Sequence, residues 1–350
     1  MEQPTRLGFI GLGAMGDPMA SNLVSRSAKG SQLYIYDVSA IAMKSFAERH
    51  PASVVVCSSP REVSRQAVSA PLNTRSLRFS LAHNQHMGQE IVFTMLPEGS
   101  HVRSVYLDAT TGILNPDMSA RLLVDCSTID IATFRSVAAE VERYGEKTCF
   151  YDAPVSGGTL GAEAASLTFM FGCADDGSDA RYPLLHDLLS LMGRTIVACG
   201  KPGMGLTAKL CNNYCSGLIS LATAEALNMG MRAGMDPRVL AHVFANSTAQ
   251  STVCDKWNPV PGICPTAPSS KGYKGGFKVQ LMAKDFGLAV GLSEEVGAKV
   301  LLGQAGLDAY QSASRDPKCR DLDSRVLFRF IGGREDWMDE ADVGAAEKQD

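Results

Sequence analysis

Two groups of residues in this sequence have the types and the spacing to do chemistry. Gly11, Gly13 and Gly16 form a G-x-G-x-x-G pattern directly after the apolar run LGFI and directly before a helical pattern that begins near Met15. Glycines so spaced let the chain turn tightly, let its backbone approach a pyrophosphate and let a helix pack closely on a strand. The helix N-terminus then offers N–H groups and positive dipole to the phosphates. Asp37 ends the next strand-like run, LYIYD, roughly 20 residues further on, where an acidic group bonds ribose hydroxyls and repels a 2′-phosphate. Together they predict a dinucleotide site for NAD rather than NADP. A Gly-rich turn without a ligand, and an Asp37 that merely caps the following helix, fit the same residues. The second group is Lys209, Asn212 and Asn213, at i, i+3 and i+4 in the otherwise apolar run AKLCNNYCSGLISLATAEALNMG. All three share one helical face. A solvated stripe is the usual fate of such residues, but the flanking sequence has few other charges with which to build an exposed face. Buried without partners they would be costly. A lysine whose pKa is lowered by burial or a neighbouring cation can remove the proton of an alcohol.

These groups need elements to hold them. From Leu7 to about Gly200, strand-like runs (LGFIGLG, LYIYD, VVVCSS, IVFTMLP, RLLVDCST, CFYDAPVS, LTFMFG, TIVACG) alternate with helical patterns. The alternation predicts a parallel sheet with crossover helices, an α/β domain of the Rossmann-type, doubly wound kind over residues 1–200. In such a sheet ligands lie beyond the carboxyl ends of the strands. Thr94, Met95, Leu96 and Pro97 at one strand end, and Asp125, Cys126, Ser127 and Thr128 at the next, are therefore expected to border the nicotinamide; isolated polar residues there also serve as helix caps. After Lys201 the strand signals stop. Helical patterns over residues 204–235, from Pro237 and from Leu281 predict an all-helical C-terminal domain over residues 201–335. Within it the Pro-, Gly- and Ser-rich residues 258–276 read as a long ordered loop or lid. The acidic, small-residue stretch 336–350 reads as a frayed tail.

Composition narrows the class. Lys+Arg number 33 and Asp+Glu 37, so no long-range field favours nucleic acid or an anionic membrane, and a small-molecule partner is expected. The ten cysteines show no C-x-x-C pair or zinc-like spacing, so reduced thiols and no metal site are expected. Apolar runs are too short to span a bilayer, which predicts a soluble protein. Only six residues precede the first strand-like run, too few to show a presequence.

With these residues in view, the chain resembles the β-hydroxyacid dehydrogenase family. The matching blocks are GFIGLGAMGDPMASNL, FTMLPEGSHVRSVY, DCSTID, DAPVSGGTLGAEAASLTFMFG, GMGLTAKLCNN, NPVPGICP and GGFKVQLMAKDFGLA, across most of residues 7–290. The NPVPG and GGF-to-MAKD segments resemble the branch that acts on 3-hydroxyisobutyrate, rather than those for tartronate semialdehyde or 6-phosphogluconate. The resemblance implies NAD-dependent oxidation of 3-hydroxyisobutyrate to methylmalonate semialdehyde, in valine catabolism. Another short hydroxy acid or semialdehyde is the alternative; a non-catalytic member would be expected to lack Lys209. It also implies roles: Lys209 exchanges a proton with the substrate hydroxyl, and Asn213 orients the lysine or the hydroxyl. Ser127 touches substrate, and Ser156, Gly157 and Gly158 form a carboxylate-binding turn. Gly11, Gly13, Met15, Gly16, Asp37, Leu96, Pro97 and Thr128 hold the cofactor, and Lys284 with Asp285 closes over it. Where the family usually has Gly-Thr before Leu-Thr, this chain has Ala165 and Ser166, which implies altered loop flexibility. Family likeness implies a mitochondrial location, with cytoplasmic as the alternative; apolar helical faces suggest a homodimer or homotetramer.

Residues 68–89, VSAPLNTRSLRFSLAHNQHMGQ, interrupt the family pattern. They show no helical or strand period and carry no acidic residue. They read as an insertion, either a retained in-frame intron or a lineage-specific loop. Placed at the amino end of a strand, opposite the cofactor edge, the segment is predicted to be dispensable for activity.

Overall fold

The computed structural model describes residues 6–66, 91–118, 120–145 and 148–338. The chain divides into two compact units, Met1–Lys209 and Leu210–Asp350. Among the described residues the first unit holds strands β1 (Arg6–Ile10), β2 (Gln32–Tyr36), β3 (Val54–Val56), β4 (Ile91–Thr94), β5 (Leu122–Asp125), β6 (Cys149–Asp152), β7 (Val155–Ser156), β8 (Leu167–Phe171) and β9 (Gly193–Ala198). Its helices are α1 (Gly16–Arg26), α2 (Ala40–Arg49), α3 (Pro60–Gln66), α4 (Gly99–Leu107), α5 (Ile131–Glu142), α6 (Gly158–Glu163) and α7 (Tyr182–Ser190). Helix α8 (Met204–Arg232) begins in the first unit and continues into the second.

Six parallel strands run in the order β3-β2-β1-β4-β5-β6. The order reverses between β1 and β4, which opens a crevice at their carboxyl ends. Every residue of β4 and β5 is buried, because helices cover both faces of a parallel sheet and leave no solvent side for alternation. The register carries one row across five strand ends: Tyr36, Ile10, Thr94, Asp125 and Asp152.

The sheet departs from the sequence expectation after that row. CFYDAPVS reads as one strand but forms two, in different sheets. The Ala153 N–H makes the last bond to β5, at the Asp125 carbonyl (2.8 Å). The next residue, Pro154, offers no N–H, and its carbonyl accepts from the Met170 N–H at 2.9 Å. The chain thereby passes into a three-stranded sheet, β7-β8-β9, with β7 antiparallel to β8.

The second unit is helical. After α8 come α9 (Pro237–Ala245), α10 (Thr252–Lys256), α11 (Val279–Glu295), α12 (Gly303–Arg315) and α13 (Leu327–Phe330). Phe286 stacks between Tyr214 (4.9 Å between ring centroids) and Tyr310 (5.6 Å) in its core. Residues 258–276 are an ordered loop: Ser269 donates to the Asn258 carbonyl at 2.6 Å and the Tyr273 hydroxyl to that of Pro259 at 2.9 Å. The expected tail starts too early at residue 336. Trp337 is buried with Leu227, Val260 and Phe328, and its indole donates to the Pro261 carbonyl at 2.9 Å, so a large apolar ring holds this part of the chain to the core. Residues 68–89 and 339–350 lie outside the described residues. Among the described residues no helix is long and apolar enough to cross a membrane.

Candidate active site

The glycine loop between β1 and α1 is built by close approach. Gly11 has φ +97°, and a Cβ there would collide with the Met95 carbonyl oxygen. A Cβ on Gly16 would collide with the Gly11 carbonyl, so the third glycine lets α1 start directly behind the strand. Gly13 is exposed with nothing within 4 Å of its Cβ position, and Met15 is the N-cap residue of α1. Asp37 closes the loop from β2. One carboxylate oxygen accepts the Leu12 N–H at 2.6 Å, the other the Ser39 N–H at 2.7 Å. The cap of α2 is Ser39, whose side chain accepts from the Ala42 N–H, so Asp37 is not that helix's cap. Each Asp37 oxygen makes one such bond and retains capacity to accept from a ribose hydroxyl. Exposed glycine backbone, a helix N-terminus and a half-buried carboxylate together fit a dinucleotide's pyrophosphate and ribose.

Next along the row, Thr94 and Ser127 donate to the same oxygen of Asp125, at 2.7 and 2.6 Å. The Thr94 proton being committed, Tyr106 is the donor in its 2.9 Å contact with Thr94. Burial pushes the Asp125 carboxyl up to about 6, against the lowering effect of its hydroxyl donors. Ser127 also accepts the Leu96 N–H at 2.8 Å. Its hydroxyl is buried between Asp125 and Leu96, so Ser127 braces the strand ends. Pro97 stands exposed beyond Leu96, and Thr128 is half-buried beyond Ser127.

The Ser156-Gly157-Gly158 turn follows β7 and starts α6. Gly157 and Gly158 have φ +134° and +62°, conformations that suit glycine. Ala165 shares the left-handed region (φ +48°), a conformation that favours glycine.

Lys209 lies in the first third of α8 and is 7% exposed. Asn213, one turn later on the same face, donates to Asp285 of α11 at 2.7 Å and accepts from Asn212 at 3.1 Å, which fixes which way its amide points. The other Asp285 oxygen lies 3.0 Å from the Lys284 ammonium. Sequence reasoning paired Lys284 with Asp285 but missed the bond to Asn213, which depends on two helices meeting. It also missed Asp152, buried at the end of β6 and bonded to the start of α8.

A dinucleotide fold with a buried lysine and an oriented amide one turn apart defines a nicotinamide-dependent dehydrogenase. A family model described as the NAD binding domain of 6-phosphogluconate dehydrogenase matches residues 6–200. A second, described as NAD-binding of NADP-dependent 3-hydroxyisobutyrate dehydrogenase, matches residues 203–331. The chain is 39% identical over 332 residues to mouse mitochondrial 3-hydroxyisobutyrate dehydrogenase, covering 95% of this chain and 88% of that protein. It is 35% identical to the Pseudomonas aeruginosa 3-hydroxyisobutyrate dehydrogenase, covering 95% of this chain and 100% of the relative. The solved structure of Mycobacterium tuberculosis 3-hydroxyisobutyrate dehydrogenase with L-serine superposes with a TM-score of 0.77 at 31% identity, covering 93% of this chain and 99% of that one. The chain belongs to the 3-hydroxyisobutyrate dehydrogenase family.

Proposed function

We propose that this protein oxidises 3-hydroxyisobutyrate to methylmalonate semialdehyde with NAD, with Lys209 as the general base. The observation that carries the reading is the burial of Lys209 on α8 one turn before Asn213, whose amide is fixed by Asp285. Bound NAD supplies the hydride acceptor. Lys209 takes the hydroxyl proton as the carbon–hydrogen bond breaks, since an alcohol gives up hydride readily only when its proton leaves too. Asn213, held by Asp285, orients the lysine or the hydroxyl. The backbone N–H groups of Ser156, Gly157 and Gly158 bind the substrate carboxylate. Leu96 and Pro97, with Ser127 bracing them, and Thr128 border the nicotinamide, while Gly11, Gly13, Met15 and Gly16 hold the pyrophosphate and Lys284 closes on the cofactor. Asp37 favours NAD, because its carboxylate, held by two N–H donors, accepts from free ribose hydroxyls and repels a phosphate there.

The names of eukaryotic relatives support a mitochondrial location. Exposed apolar side chains on the helical unit, among them Met229, Val239, Val243 and Leu301, support a homodimer or homotetramer. Initial rates with 3-hydroxyisobutyrate, serine, glycerate and 3-hydroxypropionate, each with NAD and NADP, test the reading. 3-Hydroxyisobutyrate with NAD should give the highest kcat/KM; a clear preference for another acid would replace the substrate.

A further inference from the structure

Lys201-Pro202-Gly203 precede the α8 helix that carries Lys209, with no Ser, Thr, Asp or Asn to cap it. Its N-terminus is nevertheless satisfied from a distance. Asp152, the last residue of β6 and fully buried, accepts the Gly203 N–H with one oxygen and the Leu206 N–H with the other, both at 2.6 Å. The carboxylate sits in a built cradle: a Cβ on Gly172 or on Gly205 would collide with it. Burial raises its pKa, opposed by the N–H donors of Gly203, Leu206 and Gly205.

A local cap would satisfy the same N–H groups without burying a charge between sheet and helix, and buried charge is costly. What a local cap cannot do is fix the helix to the sheet. Two oxygens of one rigid carboxylate, each bonded to a different residue of the first turn, set both the height and the rotation of α8 against the end of β6. Lys209 follows Leu206 by three residues and Gly205 by one turn, too short a span of helix to lose that setting.

We propose that Asp152 is a positioning residue for Lys209: it anchors the start of α8 so that the lysine stands where the proton must be taken. The proposal rests on Lys209 being the proton acceptor, and it is tested by asking whether Asp152 acts through that residue. D152N keeps the shape but sets an NH2 group against one of the two N–H donors. Its kcat should fall about 10- to 100-fold, as expected for an ångström-scale misplacement, while the NAD dissociation constant and the KM for 3-hydroxyisobutyrate stay within about twofold. In a K209A background the same substitution should have almost no further effect on the residual kcat. An equal fall in both backgrounds would assign Asp152 a general structural role and overturn the proposal, as would unchanged turnover in D152N. If D152N does not fold, D152S, which fits the cradle but is too short to bond both N–H groups, is put through the same cycle with the same expected outcomes. If K209A alone keeps its turnover, the assignment of Lys209 is what fails.

Discussion

Asp37 and Asp125 belong to the same sheet edge, yet their surroundings give them opposite tasks. Asp37 is half-buried, takes one N–H on each oxygen and keeps acceptor capacity for a ligand. Replacing it by Ala should weaken NAD binding and relax discrimination against NADP, measured as the ratio of kcat/KM values; an unchanged ratio would reduce Asp37 to a brace of the glycine loop. Asp125 is sealed in, and its carboxyl is pushed up to about 6. An ordinary unfolded aspartate titrates near 4. The folded state therefore binds the extra proton between these values. The stability this contributes is full below about pH 4 and is lost as pH rises through about 6, on the order of 2–3 kcal/mol. Denaturant unfolding between pH 4 and 7 should show a flatter pH dependence in D125N than in the parent, and parallel curves would contradict the assignment. The residue types were legible in sequence, but these differences were not. Ser127 shows why: only the fold reveals that its hydroxyl bonds Asp125 and the Leu96 N–H.

At the scale of elements, what was readable was what is local. Hydrophobic runs located the strands, the glycine pattern located the start of α1, and the long apolar run located α8. What was missed depends on partners distant in sequence. The break between β6 and β7 comes where the Pro154 carbonyl turns to the Met170 N–H of β8, and the cap of α8 comes from Asp152. The departure at Ala165 could be seen in sequence, but its cost, a left-handed backbone under a residue with a Cβ, needed the structure. An L-residue with a Cβ pays about 1 kcal/mol or more in that region. Ala165→Gly should therefore stabilise the protein by about 0.5–1 kcal/mol in thermal or denaturant unfolding. A destabilised variant would mean that the methyl group's packing outweighs the strain.

At the scale of the molecule, the chain divides within α8, between Lys209 and Leu210. Sequence places the boundary at residue 200, where strand signals end, and the two compact units divide further on, inside α8. The described chain leaves α3 at Gln66 and resumes at Ile91, at the amino end of β4, opposite the strand ends that form the site. Deleting residues 68–89 should accordingly preserve kcat, and loss of folding on deletion would make the segment part of the native structure. The central claim is that Lys209 takes the substrate's proton in an otherwise intact NAD enzyme. Its most direct test is the turnover of K209A on 3-hydroxyisobutyrate, measured alongside NAD binding by the same protein. kcat should fall by at least about 100-fold, the lower range for a positioned acid–base group, with the NAD dissociation constant nearly unchanged. A K209A enzyme that keeps most of its turnover would contradict the account.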